Sequence, residues 1–223
     1  MAIRFSNEEF DKLKNILTTY DWGLRTLMTK LNIIHEDLRN FQDNSAIDFI
    51  HSRIKAPESI AQKLYEMGLD VTADNARKHL RDIAGIRIIC PFAKDIYFLA
   101  GILRSMPDVR VVTEKDFISQ PKPSGYRSYH LIMQIPVFFS GKTEDVTVEI
   151  QIRTEAMNFW ATLEHKARYK FREHVPEHLS NELAVIAETI SALDERMFNI
   201  YELISLINEG PSNGGINRQA KDL

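Results

Sequence analysis

The chain has 223 residues, 44% of them hydrophobic and 26% charged, with a formal net charge of -3. Folding at this length hides about 70% of the surface, and the composition excludes a wholly disordered or fibrous chain. The one cysteine, Cys90, cannot close an internal disulfide and points to a reducing, cytoplasmic setting. The opening residues carry no basic segment followed by an apolar one, and no apolar run approaches the roughly 18–20 residues of a membrane span, so neither secretion nor membrane insertion is expected.

The first predicted element is a long helix over 7–41. Phe10, Leu13, Leu17, Tyr20, Leu24, Leu27, Leu31, Ile34, Leu38 and Phe41 recur at alternating steps of three and four, an unbroken heptad seam. Ser6 and Glu9 supply a capping box at its start, and Gly23 is a weak point within it. Helices are then predicted from Pro57 to Met67, with Gly68 at its end, and from Asp74 to Leu80. Ile86 to Pro91 reads as a buried strand, Ile96 to Met106 as a helix and Val109 to Thr113 as a short strand. Two further strands, Ser128 to Pro136 and Asp145 to Arg153, are joined through Ser140, Gly141 and Lys142, and a helix capped by Thr154 follows to Phe171. The heptad pattern returns in a helix over 177–208, carried by Leu179, Leu183, Ile186, Ile190, Leu193, Met197, Ile200, Ile204 and Ile207. Residues 209–223, rich in glycine, read as a flexible tail.

The order of elements gives an α+β fold, a mixed β-sheet with helices packed on it, in a single domain over 1–208. Two seams of such length need covering, either by the sheet between them or by partner helices; the expectation is a homo-oligomer.

Charge is unevenly placed: residues 1–50 carry a net -2, residues 51–130 a net +4 and residues 131–223 a net -5. A local positive excess in an acidic chain suits a compact polyanion such as a nucleotide better than a long duplex, although a solvated lysine-rich surface has the same signature.

Chemistry concentrates in four places. Along Val146–Arg153, strict alternation puts Thr147, Glu149, Gln151 and Arg153 on one strand face, either a solvated exterior or the polar floor of a cleft. Asp82 stands just before a strand, with Gly85 behind it, as a turn residue or as a carboxylate facing the site. A pair of such carboxylates is what Mg²⁺ with nucleotide phosphates requires, and Asp82 and Glu149 are the candidates. The segment Gln120–His130 cannot be helical, since Pro121, Pro123 and Gly125 fall within it. As a loop it presents Lys122, Arg127 and His130 for phosphates and Tyr126 for base stacking. Arg53 and Lys55 alternate along an extended segment, and Ser59 and Lys63 lie one turn apart on the helix that follows. A Walker A loop, a GxGxxG turn, a zinc-ligand spacing and a Gly-x-Ser-x-Gly elbow are all missing from the sequence.

Taken together, Asp82-Ile-Ala-Gly-Ile-Arg87, Gly125-Tyr-Arg-Ser-Tyr-His130, Glu149-Ile-Gln-Ile-Arg-Thr154, Asn158-Phe-Trp-Ala161 and Glu164-His-Lys166 resemble the synthetase domain of RelA/SpoT-type (p)ppGpp synthetases over about residues 50–172. The flanking helices look like those of the stand-alone small alarmone synthetases. The resemblance implies a nucleotidyltransferase-like synthetase fold and transfer of the ATP β,γ-pyrophosphate to the 3′-hydroxyl of GTP or GDP in the stringent response, with Mg²⁺ as cofactor. It implies that Asp82 and Glu149 hold the metal and that Glu149 activates the hydroxyl. Arg53 and Arg87 would flank adenine, and Lys55, Ser59 and Lys63 would face the ATP phosphates. Tyr126 would stack on guanine, Gln151 and Asn158 would fix the acceptor, and Lys122 and His130 would meet its phosphates. Ser124 and Tyr129 stand where relatives often carry Asn and Leu. The resemblance further implies a homotetramer and leaves room for regulation by alarmone or RNA. Two other readings stay open: a toxin-type relative acting on adenosine nucleotides or tRNA 3′ ends, and a non-catalytic nucleotide- or RNA-binding module.

Overall fold

A computed structural model describes residues 3–41, 46–171 and 175–208. In chain order the elements are α1 (Asn7–Phe41), β1 (Phe49–Ile54), α2 (Pro57–Glu66), α3 (Ala73–His79), β2 (Ala84–Cys90), α4 (Ala93–Ser105), β3 (Arg110–Asp116), β4 (Tyr129–Phe139), β5 (Lys142–Thr154), α5 (Glu155–Lys170) and α6 (Glu177–Asn208). The tail expected over 209–223 lies outside the described residues. None of the described helices is long and apolar enough to cross a membrane.

The five strands form one mixed sheet in the order β1-β2-β5-β4-β3. The neighbours β2 and β5 run parallel, whereas the pairs β1–β2, β5–β4 and β4–β3 are antiparallel. The α+β expectation therefore holds, with corrections at strand ends. β1 was foreseen only as an extended stretch around Arg53; it is a full edge strand on β2. The β4–β5 hairpin is longer than expected at its closed end, because Ser140 (φ 49°) and Gly141 (φ 80°) make a two-residue turn with positive φ at both positions, the twist that matches paired strands. Thr72, rather than Asp74, starts α3: its side chain accepts a hydrogen bond from the Asn75 N–H at 3.2 Å.

The sheet has one apolar and one polar face. Ile86, Ile88, Leu131, Met133, Ile135, Val148, Ile150 and Ile152 are fully buried, in one cluster with Leu13, Leu24, Leu27 and Leu31 of α1 and Ile96, Leu99 and Leu103 of α4. The first heptad seam is thus covered by the chain's own sheet. This corrects the expectation of a partner helix there, and Phe10 and Phe41 at the seam's ends are exposed. Gly23 does not weaken α1. It lets the helix ride on β5, since a Cβ there would come within 2.6 Å of Val146 Cγ1.

The second seam divides in two. Leu183, Ile186, Ala187 and Ile190 pack with Trp160 and Ala161 of α5 and with Tyr126. Beyond them Leu193, Met197, Ile200, Ile204 and Ile207 are each more than half exposed.

Candidate active site

Strand register carries the polar residues into rows across the uncovered face. His51, Arg87, Gln151, His130 and Lys115 stand side by side on β1, β2, β5, β4 and β3, and the adjacent row runs Arg53, Gly85, Glu149, Ile132 and Thr113. Alternation along each strand points these side chains the same way. Gly85 leaves a gap in its row between Arg53 and Glu149.

Asp82 precedes β2, and the Lys55 N–H bonds to the Ile83 carbonyl at 2.8 Å, extending the β1–β2 pairing to bring Lys55 beside it. Asp82 Oδ2 accepts from Lys55 Nζ at 2.6 Å and from Lys63 Nζ at 2.8 Å. Burial pushes the Asp82 carboxyl up, but the two ammonium groups outweigh it and hold the pKa below the ordinary carboxylate value. Its other oxygen, Oδ1, is buried without a hydrogen-bond partner.

Glu149 is held from two sides. Gln151 Nε2 donates to Oε2 at 3.0 Å, and His130 Nδ1 lies 3.5 Å from Oε1. Burial, again the strongest single influence, raises its pKa, as does the charge of Asp82. The contacts from His130 and Gln151 leave it lower than usual overall.

Beyond Lys55 and Lys63, the nearby Arg53, Arg87 and Arg153 form no ion pair among the described residues. Arg87 Nη1 donates to Asn158 Oδ1 at 3.3 Å while its Nε is buried unpartnered. Burial, followed by the nearby charges of Arg153 and Arg53, pulls the Arg87 pKa down. Such a cluster is a standing invitation to an anion.

Two clefts open on either side of the carboxylates. One is lined by His51, Ser52, Arg53, Arg87 and Gln151, the other by Lys63, Lys115, Phe117, Lys122 and His130; Asp82 and Glu149 belong to both. The arrangement can hold two anionic ligands with their reactive ends meeting at a shared carboxylate wall. Among the described residues no group of three or more His, Cys, Asp or Glu side chains is placed to hold a metal unaided. The pair, with a buried unpartnered oxygen on Asp82, fits a hard divalent cation whose remaining ligands come from elsewhere, such as phosphates or water.

Residues 52–174 match the region found in RelA / SpoT proteins. Over 84% of this chain and 89% of the relative, the sequence is 45% identical to the GTP pyrophosphokinase YwaC of Bacillus subtilis. The chain belongs to the RelA/SpoT family. The crystal structure of the small alarmone synthetase 2 of Bacillus subtilis superposes with a TM-score of 0.77 at 44% identity, covering 85% of this chain and 97% of that one. That of the small alarmone synthetase 1 of the same organism, bound to its product pppGpp, gives 0.80 at 36%, covering 86% and 97%.

Within this RelA/SpoT chain the expected site residues mostly converge. Asp82, Glu149, Lys55, Lys63, Arg53, Arg87, Gln151, His130, Lys122 and Asn158 line the clefts or bond to residues that do. Ser59 is exposed on α2, and no hydrogen bond joins it to the cluster. Lys63 lines the Lys122 side rather than the Arg53 side. Tyr126 stands behind the second cleft, its ring edge-on to Phe117 and His130 with Lys122 Nζ 4.7 Å from its centroid. His51, Lys115, Phe117, His79 and Arg81 also line the clefts and were not foreseen. The alternation of β3 could have offered Lys115 and that of β1, two residues before Arg53, His51; the others lie at strand or helix ends where no pattern marks them.

Proposed function

We propose that this chain is a GTP pyrophosphokinase that transfers the β,γ-pyrophosphate of ATP to the 3′-hydroxyl of GTP or GDP, forming pppGpp or ppGpp and releasing AMP. The observation that carries the proposal is the pair of clefts meeting at Asp82 and Glu149, because a reaction between two nucleotides needs two pockets and one shared reacting edge. The relatives named GTP pyrophosphokinase and small alarmone synthetase support the same reading.

In this reading ATP takes the first cleft, with Arg53 and Arg87 about its base; Lys55 and Lys63, both bonded to the shared Asp82, supply charge for its phosphates, and Ser59 a neutral hydroxyl. The acceptor takes the second cleft, its base against Tyr126, its sugar near Gln151 and Asn158 and its 5′-phosphates toward Lys122, His130 and Lys115. Mg²⁺ held by Asp82 and Glu149 would neutralise phosphate charge as negative charge builds on the leaving group. The 3′-oxygen forms a bond to the β-phosphorus, and the bond from that phosphorus to the α,β-bridging oxygen breaks, leaving the oxygen on AMP. Alignment and charge neutralisation matter most in such a transfer. Glu149, with its lowered pKa, is a weak base, so it chiefly orients the 3′-hydroxyl and takes its proton late. We also place further copies of the chain, four in all as the resemblance implies, against the exposed apolar half of α6.

The test is incubation with ATP, Mg²⁺ and each of GTP, GDP, GMP and tRNA, followed by separation of products. AMP and 3′-pyrophosphorylated guanosine nucleotide in equal amounts are expected. Product on tRNA or adenosine nucleotides alone, or none at all, overturns the proposal.

A further inference from the structure

Arg153 is 4% exposed, and none of the ion pairs among the described residues involves it. A buried guanidinium needs its donors satisfied, and here every acceptor is neutral. Nη2 donates to the Tyr126 hydroxyl at 2.6 Å and to Gln151 Oε1 at 2.8 Å, and Nε to Ser128 Oγ at 3.3 Å, with the guanidinium carbon 5.1 Å from the Tyr126 ring centroid.

Followed onward, these bonds close on themselves. From Arg153 one arm runs through Gln151, whose Nε2 donates to Glu149 Oε2 at 3.0 Å. The other runs through the Tyr126 hydroxyl, 2.8 Å from His130 Nε2, and from His130 Nδ1 to Glu149 Oε1, 3.5 Å away. Arg153, Gln151, Glu149, His130 and Tyr126 therefore form a ring of four hydrogen bonds closed by the 3.5 Å approach of His130 Nδ1 to Glu149 Oε1.

Chemistry fixes the polarity of that ring. An arginine has only donors and an ionised carboxylate only acceptors, so Arg153 and Glu149 are its two poles and both arms must pass hydrogen bonds in the same direction. Gln151 must turn its oxygen to Arg153 and its amide nitrogen to Glu149. The Tyr126 oxygen accepts from Arg153 and gives its own proton to His130 Nε2. In the nucleotide-free chain, neutral His130 is then left with its proton on Nδ1, aimed at Glu149, and a phosphate of the acceptor would have to compete for that proton.

We infer that Arg153 is a positioning residue: through the two arms of the ring it sets the orientation of Glu149 and of the Tyr126 ring and fixes the Nδ1–H tautomer of His130. The inference rests on the pyrophosphokinase reading for its kinetic part alone. Arg153 touches no reacting atom. It ties Glu149 to the aromatic on which the acceptor base is proposed to lie, so that the hydroxyl-orienting group and the base platform move together. Glu149 Oε2 spends one lone pair on Gln151 and Oε1 faces His130, and the other lone pairs stay available for the acceptor or a cation.

The experiment has two readouts. Nitrogen-15 NMR of the histidine-labelled full chain, taken at alkaline pH where the ring-nitrogen shifts no longer move, reports the tautomer of His130, assigned by its loss in H130Q. The Nδ1–H form is expected for the unaltered protein, free of nucleotide. In Arg153→Met the tyrosine hydroxyl regains a vacant acceptor site, and in Tyr126→Phe the link is gone; both should shift His130 toward Nε2–H. An Nε2–H tautomer in the unaltered protein overturns the ring, even if neither variant folds and whether or not the chain makes alarmone. In Arg153→Met the kcat should fall at least about tenfold, the equivalent of about 1.4 kcal/mol, while the KM for ATP changes less than about twofold. A kcat within twofold of the parent, with the tautomer reversed, overturns the positioning role.

Discussion

Gly125 lies against Ala187 with no room for a side chain: a Cβ on the glycine would come within 2.5 Å of the alanine Cβ. Its φ of +87° is also one that other residues adopt at a cost. The neighbouring Arg127 bonds to Glu188 at 2.9 Å and to the Ile118 carbonyl at 3.0 Å, so α6 is seated directly on the loop that presents Tyr126. Gly125→Ala should cost about 1–3 kcal/mol between strain and displacement. It should raise the KM for the guanosine acceptor several-fold and leave that for ATP nearly unchanged. An equal rise for both would place the damage in the fold rather than in the loop.

Glu149→Gln keeps the size of the side chain and removes its charge. The new amide also turns a donor toward Gln151 Nε2 or His130 Nδ1, each now accepted by the carboxylate. Synthesis should drop at least about 100-fold, the scale of a positioned acid-base or metal-holding group, with an unchanged circular dichroism spectrum. Near-normal turnover would remove Glu149 from the mechanism.

Tyr126→Ala deletes the aromatic face in the acceptor half. Use of GTP or GDP should weaken by about 1–3 kcal/mol, the usual worth of a base stacked on an aromatic ring, while ATP binding measured alone is preserved. A loss confined to ATP would reverse the assignment of the two clefts.

Assembly is best tested beyond the self-covered part of α6. Ile190 packs on its own chain, so altering it would confound the result, whereas Met197 and Ile204 are exposed and one heptad apart. Replacing both by Glu should dissociate the proposed oligomer in light scattering and leave the thermal transition of the sheet in place, because the cost of a charge in an apolar contact falls only where that contact exists. Unaltered protein running as a monomer at micromolar concentration would already exclude the assembly.

Asp194 offers a pH test. Its Oδ2 accepts from Thr154 Oγ1 at 2.5 Å while the same hydroxyl accepts from the Met157 N–H at 3.2 Å, capping α5. Burial raises the Asp194 pKa more than that bond lowers it. A raised folded pKa means that the folded chain binds the proton more tightly. The associated stability is full below the ordinary aspartate value and is lost as pH climbs through the folded one. Asp194→Asn keeps an acceptor for Thr154 and avoids the buried charge. Its urea midpoint should exceed that of the parent at pH 7, and the two should converge near about pH 3, below the ordinary aspartate pKa. A variant weaker than the parent at pH 7 would show that the charge itself stabilises the contact.

How far these features could be read from the sequence depends on the distance over which each is encoded. The alternation of Thr147, Glu149, Gln151 and Arg153 along one strand is local, and it correctly put them on one face. That this face closes into a ring depends on His130 standing opposite Gln151, a register between two strands that neither strand encodes alone. The heptads of α1 and α6 look alike because periodicity reports the width of an apolar stripe and is silent on what lies against it; one proved to cover the sheet and the other is covered over only half its length. β1 is legible only as an extended stretch around Arg53, because an edge strand with one partner needs no continuous apolar run and Phe49–Ile54 alternates too little to mark its full length.

The parallel pairing of β2 with β5 also bears on how the protein acquires its activity. Gly85 and Glu149 are partners in that pair although more than sixty residues of chain separate them, and contacts so remote in sequence form slowly because the intervening loop must close first. The β4–β5 hairpin is local in the chain, and α1 and α2 leave the ribosome early, but Asp82 meets Glu149 only when β2 docks beside the central β5. A nascent or misfolded chain therefore carries the arginines and lysines that attract nucleotides without the carboxylate pair that would let them react. Nucleotide turnover during refolding should appear last, after helical content has recovered, which makes alarmone synthesis itself a reporter of the completed sheet.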